Sequence, residues 1–182
     1  MFSTLLLSLL SILPVHTPAW GAGSPSAVPS DSLTVYVFLL DECLISQFYT
    51  PELSRLNKNY QKKGVGFIGY FPNSSSSTEE IEEFAKDYHI DFPLKADHEK
   101  VFTEQFDISV TPEVAVWDHR SDRLIYRGRI DDSYVRVGKR KLHPQHHDLE
   151  DIIKAWLAME STDQLTETQA IGCFINFDSP GK

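Results

Sequence analysis

The chain has 182 residues, and its 26 Asp and Glu against 17 Lys and Arg give a net charge of −9. Such acidity disfavours nucleic acid and anionic membrane surfaces as partners, while the length allows one domain with a substantial core. Its two cysteines are too few for a disulfide scaffold, so they form either one staple or a pair of reactive or metal-binding thiols.

The first elements in chain order belong to targeting and not to the fold. Residues 4–13, TLLLSLLSIL, have the length of a secretory apolar core. A helix-breaking Pro14 follows, and Ala19 and Gly21 suit a cleavage site after Gly21. No Lys or Arg precedes the run, and an uncleaved segment would act as an N-terminal anchor, the one route to membrane association. Residues 1–21 are therefore read as a signal peptide and 22–32 as a flexible leader. Residues 33–160 are read as the domain and 161–182 as a tail carrying Cys173. The expected location is exported, periplasmic or extracellular.

Residues 33–40, LTVYVFLL, are continuously apolar, as suits a central strand buried on both faces. A helix over 44–62 follows, with Leu44, Phe48, Leu56 and Tyr60 expected on one face and a kink expected at Pro51. GVGFIGYF, 64–71, is the next strand. Ser77 and Glu80 then make a capping-box pattern ahead of Ile81, Phe84, Ala85 and Tyr88. A short helix over 98–106 takes Asp97 as its cap. EVAVWD, 113–118, and RLIYRGRI, 123–130, flank the polar turn HRSD as an antiparallel hairpin. Asp148 is expected to cap a last helix burying Leu149, Ile152, Ile153, Trp156 and Leu157. This order predicts an α/β fold with a mixed central sheet and helices on both faces. It starts from a right-handed βαβ unit and ends in a hairpin plus helix.

Sites in such sheets gather at the carboxyl ends of strands, where Cys43 lies. A thiol at a helix N-terminus meets unpaired N–H groups and the positive end of the dipole, which favour the thiolate. Asp41 and Glu42 oppose a further negative charge. The bland alternative is a small buried hydrophobe.

The stretch CLISQFYTPEL, 43–53, resembles the active-site helix of the thioredoxin superfamily, with Ser46 at the position of the second cysteine and Pro51 at the kinking proline. VTPEVAVW, 110–117, resembles the family loop in which a proline after a cis peptide bond faces the reactive cysteine; that carries over to Thr111 and Pro112. The resemblance covers roughly 33–158 and is closest to exported redoxins of the alkyl hydroperoxide reductase/thiol-specific antioxidant or thiol–disulfide interchange type. YRGRIDDSYV, HHDL and GCFI also resemble an exported redoxin-like branch that usually has proline where Leu44 stands. What this implies is a thioredoxin-like fold and a single-cysteine C-x-x-S helix. Cys43 would be a reachable reactive thiol, Ser46 would hydrogen-bond near it, and Thr111–Pro112 would face it. The implied partner is a thiol or disulfide substrate protein or a small thiol, with no cofactor. The peroxiredoxin pattern also requires Thr or Ser three residues before the cysteine and Pro four earlier; Leu40 and Tyr36 stand there, so thiol–disulfide exchange is expected over peroxide reduction.

Cys173, in AIGCFINF, lies in a stretch apolar enough to dock. It either resolves an intermediate on Cys43, forms a plain staple with it, or stays unpaired. Arg136, Lys139, Arg140 and Lys141 read as a solvated surface insertion. His143, His146 and His147 follow, and imidazole with thiolate suits copper or zinc. Metal binding through Cys43, Cys173 and a histidine belongs to the alternative function, a non-catalytic binding module; His147 is otherwise read as packing at a helix start. Arg127 and Arg129 are expected on one face of a strand, pairing with Asp131, Asp132 or Glu113.

Overall fold

The continuous apolar run after Ser32 becomes β1 (Leu33–Phe38), the strand around which the domain is organised. In a computed structural model, which describes residues 32–160 and 164–177, β1 pairs in parallel with β2 (Val65–Phe71) and antiparallel with β5 (Glu113–Asp118). Beyond them lie β3 (Leu94–Ala96) on one side and β6 (Arg123–Gly128) with β9 (Thr166–Glu167) on the other. Among the described residues this makes a six-stranded mixed sheet in the order β3-β2-β1-β5-β6-β9. The predicted signal peptide, its cleavage site and nearly all of the leader lie outside the described residues.

Helices α1 (Leu44–Tyr60), α2 (Thr78–Asp87) and α4 (Asp148–Leu157) share one core cluster with Val35, Val37 and Val116. The opposite face takes α3 (Val101–Gln105), whose Phe102 packs with Phe38, Tyr70 and Phe106. Helices therefore cover both faces, as the alternation predicted.

Several local expectations are corrected. α1 buries Ile45, Tyr49, Leu53, Leu56 and Tyr60, whereas Leu44 is 74 % exposed. The observed set follows 3.6 residues per turn, from which repeated four-residue steps drift away. Pro51 sits inside α1, and the Gln47 carbonyl it cannot serve accepts instead from the Thr50 hydroxyl at 2.8 Å. α3 starts only at Val101 because Lys100 takes a left-handed turn, φ 57°. The N-cap is thus Lys100 and not Asp97, although the Asp97 carboxylate still serves first-turn donors, accepting from the Thr103 N–H at 2.9 Å and the Thr103 hydroxyl at 2.7 Å. Asp148 does not cap α4: it is the first helical residue, preceded by His147, and its carboxylate pairs with Arg129 at 2.8 Å.

Arg127 and Arg129 do not share a face. Arg127 reaches the end of α3, donating to the Phe106 and Asp107 carbonyls at 3.1 Å, and ion-pairs with Asp107 and Glu167. Arg129 turns towards α4. The intervening Gly128, at φ +144°, ends β6 and breaks its alternation. The basic insertion forms a small exposed hairpin, β7 (Tyr134–Arg136) with β8 (Lys139–Arg140).

The far end of the hairpin strands is tied to α4 by a buried carboxylate. Asp118 accepts from Trp156 Nε1 at 2.9 Å, the Ser121 hydroxyl at 2.7 Å and the Arg120 N–H at 3.0 Å. Burial pushes its carboxyl up, but these hydrogen bonds and the Arg120 charge outweigh it and hold Asp118 below the ordinary range. Its contribution to stability is thus complete above its unfolded value and is lost as the pH falls through the depressed one. Trp156→Phe removes a donor and should cost about 1–3 kcal/mol at pH 7, with the penalty shrinking as acid protonates Asp118. Urea unfolding at several pH values measures both; a penalty independent of pH would show that lost packing, not the Asp118 bond, is responsible.

Candidate active site

The end of β1 hands over to α1 through a turn in which the Cys43 N–H donates to the Leu40 carbonyl at 3.1 Å. Cys43 then stands as the N-cap of α1 in extended geometry (φ −83°, ψ 110°), and its carbonyl accepts the first helical bond from the Gln47 N–H at 3.0 Å. No acidic residue occupies the first turn of the helix, so nothing within it offsets the dipole that Cys43 faces. Of the two carboxylates before it, Asp41 is engaged elsewhere. Asp41 is held by the Ser76 hydroxyl, and its carbonyl accepts from the Gln47 amide at 2.7 Å. Glu42 is exposed.

Opposite Cys43 lies the short strand β4 (Val110–Thr111), followed by a cis peptide bond between Thr111 and Pro112. The Thr111 carbonyl oxygen is 3.3 Å from Cys43 Sγ. Buried Glu113, directly after the proline, accepts from the Ser109 N–H at 3.1 Å and so staples the loop on the other side of the cis bond. Burial raises its carboxyl above the usual range despite the backbone N–H groups of Ser109 and Val110.

Cys173 arrives from the tail. Strand β10 (Cys173–Phe174) pairs antiparallel with β4, placing Cys173 opposite Thr111, and the two half-cystines are joined as a disulfide with Cα atoms 6.2 Å apart. Two expectations change here. The helix cysteine is not a lone monothiol, because its partner comes from the tail 130 positions away. Nor is its sulfur reachable in this state: Cys43 is 1 % exposed, while Cys173 is only partly buried. In the chain-entropy picture a loop this long restricts the unfolded chain by about 5 kcal/mol.

Ser46 hydrogen-bonds within the turn that leads to Cys43. It is fully buried and accepts from the Leu40 N–H at 3.2 Å, fixing the turn that carries Cys43. His143, His146 and His147 are exposed on the loop after β8. Among the described residues no group of three or more His, Cys, Asp or Glu side chains is placed to hold a metal ion.

The sequence reading passed over the glycines that let the tail dock. A Cβ built on Gly172 would lie 2.1 Å from the Thr111 oxygen, and one on Gly128 would lie 2.2 Å from the Thr168 oxygen. The signal was a glycine immediately before the tail cysteine, but its neighbour Thr111 lies 61 positions earlier and is found only by folding. Ser46→Ala should leave the buried Leu40 N–H unpaired and cost about 1–3 kcal/mol in urea unfolding. A loss well below 1 kcal/mol would indicate that the turn does not depend on Ser46.

Solved structures resemble most of the chain. A hypothetical protein from Sinorhizobium meliloti superposes with TM-score 0.70 at 23 % identity, covering 83 % of each chain. An uncharacterized conserved protein from Geobacillus kaustophilus gives TM-score 0.68 at 26 % identity, covering 83 % of this chain and 80 % of that one. A putative thioredoxin from Neisseria meningitidis gives TM-score 0.54 at 18 % identity, over 72 % and 79 %. No curated protein matches the sequence. The architecture is thioredoxin-like, and the sequence profile of the AhpC/TSA family matches residues 25–130, more than half the chain. The chain belongs to the AhpC/TSA family.

Proposed function

We propose that the protein is a thiol–disulfide exchange protein in which Cys43 is the attacking sulfur and Cys173 the resolving one. The observation that carries this reading is the Cys43–Cys173 disulfide at the N-terminus of α1, against the carbonyl of Thr111 and its cis peptide bond to Pro112. In the oxidised protein an incoming thiolate meets Cys173, the more exposed sulfur. Attack there forms a mixed disulfide with Cys173 and releases Cys43 as the thiolate. The helix N-terminus favours that leaving group. A second incoming thiolate then breaks the mixed disulfide, carrying the first thiol away as a disulfide and leaving both cysteines reduced. The reduced pair then runs in the other direction: Cys43 thiolate attacks a substrate disulfide, and Cys173 closes on Cys43 to release the substrate thiol. Thr111 and Pro112 form the wall of the site, and Ser46 holds the turn. A Cys43–Cys173 disulfide suits an oxidising, exported setting.

The chemistry at hand favours exchange over peroxide reduction, because Leu40 brings no hydroxyl and Tyr36 no proline to the positions where a peroxidase site needs them. The metal-binding reading draws no support from the exposed histidines, and it would in any case need the disulfide opened.

The oxidised chain should react with no iodoacetamide, and mild reduction should expose two thiols of which Cys43 alkylates first at pH 7. Cys43→Ser should abolish reduction of a disulfide substrate, whereas Cys173→Ser should still attack once and stall as a mixed disulfide visible by intact mass. Equal, slow alkylation of both reduced thiols, with turnover unaffected by Cys43→Ser, would leave the bond a structural staple.

A further inference from the structure

The tail that carries Cys173 is held in two unequal halves. Its first half is fixed without sulfur. β9 pairs with β6, Glu167 ion-pairs with Arg127, and Thr168 seats in the space left by Gly128. There the Thr168 hydroxyl meets Tyr126 Oη at 2.5 Å and accepts from the Arg129 N–H at 3.1 Å. The second half is held more lightly, by the disulfide, a two-residue ladder, the buried Ile175 and the Asn176 N–H, which donates to Asn73 Oδ1 at 3.0 Å. β10 has two residues, its Cys173 carbonyl accepts from the Thr111 hydroxyl at 3.5 Å, and the Ile175 N–H reaches the Ser109 carbonyl at 3.3 Å. Ile175 is buried, while Phe174 is 85 % exposed. When the disulfide opens, the strand along Thr111 is the part free to leave, and its anchor stays on the sheet.

What it vacates is an unpaired strand edge beside Cys43, shaped for an extended peptide whose cysteine takes the place of Cys173. The residue before that cysteine has no room for a side chain. A Cβ at position 172 would lie 2.1 Å from the Thr111 oxygen and 2.5 Å from its carbon, both backbone atoms on the strand that pairs with β10. We propose that the strand Cys173–Phe174 is a built-in stand-in for the client, and that the reduced protein selects extended peptide segments bearing a Gly-Cys pair in the register of Gly172–Cys173.

This deepens the exchange reading of Cys43 and rests on it. Cys43 thiolate attacks the client cysteine within a client disulfide; the Cys43–client bond forms, the old sulfur–sulfur bond breaks, and its distal sulfur leaves as thiolate and is protonated by water. Cys173 thiolate then attacks Cys43, restoring the internal disulfide and releasing the client thiolate. The client gains two electrons and the protein dithiol loses two, to be returned by an external dithiol reductant. Thr111 takes one strand at a time, so the return of β10 to the ladder displaces the client strand as resolution proceeds.

The test uses the full chain carrying Cys173→Ser, reduced, and a synthetic peptide of residues 168–177 whose cysteine is held as a mixed disulfide with thionitrobenzoate. Release of the thionitrobenzoate reports capture by Cys43. Capture should be at least about tenfold faster than for the same peptide with Gly172→Ala, because overpacking against backbone is not relieved by a rotamer change. Equal rates, with the small symmetrical reagent dithiobis(nitrobenzoate) still reacting at Cys43, would overturn the proposal and leave the exchange reading intact. No reaction even with the small reagent would sink both. In the chain with both cysteines, Gly172→Ala should shift the internal disulfide towards the dithiol in glutathione buffer by a similar factor, and an unchanged equilibrium would also overturn the proposal.

Discussion

The carbonyl of Thr111 is where three distant parts of the chain meet. Cys43 Sγ lies 3.3 Å from it, Gly172 packs on it so closely that no side chain fits, and Cys173 stands opposite Thr111 in the β4–β10 ladder. The cis bond to Pro112 and the Glu113 carboxylate, which accepts from the Ser109 N–H, hold the loop on which that carbonyl sits. Remove the alignment of this backbone and the tail has no register, the disulfide no partner and the helix cysteine no wall. The antiparallel pairing is short, so the covalent bond and the backbone ladder depend on one another.

The surroundings of Cys43 match a sulfur that alternates between bonded and ionised states. Its helix begins with no first-turn acid, Asp41 is held by Ser76, and the Ser46 hydroxyl is spent on the Leu40 N–H. The N-terminus of α1 therefore acts on sulfur with no acid in its own first turn to offset it. The tail closes over this point from both faces of the sheet: Ile171 packs against the cluster of α1 and α4, and Ile175 against that of α3. Closure shields the sulfur, leaving Cys43 1 % exposed.

Much of this was legible in the sequence because the physics was local. The unbroken apolar run of β1 marked a strand buried on both faces, Ser77 and Glu80 formed the capping box they spell, and the hairpin of β5 and β6 followed its polar turn. The order of elements put Cys43 at the strand–helix junction, resemblance supplied the Thr111–Pro112 pair, and folding brings them together. The tail strands β9 and β10 were not legible, since two-residue strands carry no periodicity and exist only because an edge receives them. The opposite facing of Arg127 and Arg129 escaped the period-two rule because Gly128 takes a positive φ there, and sequence does not reveal which glycine uses that freedom. Leu44 was assigned to the core by four-residue steps and lies instead on the surface.

The most direct measurement of the central claim is the midpoint potential of the Cys43–Cys173 couple, obtained by equilibrating the intact chain in glutathione buffers, trapping the thiols and reading the mass. An exchange-active pair held by a short ladder should titrate as one two-electron couple between about −180 and −270 mV, the range of catalytic dithiols. A midpoint below roughly −300 mV, where structural disulfides lie, would contradict the account, as would a free thiol persisting in the oxidised protein.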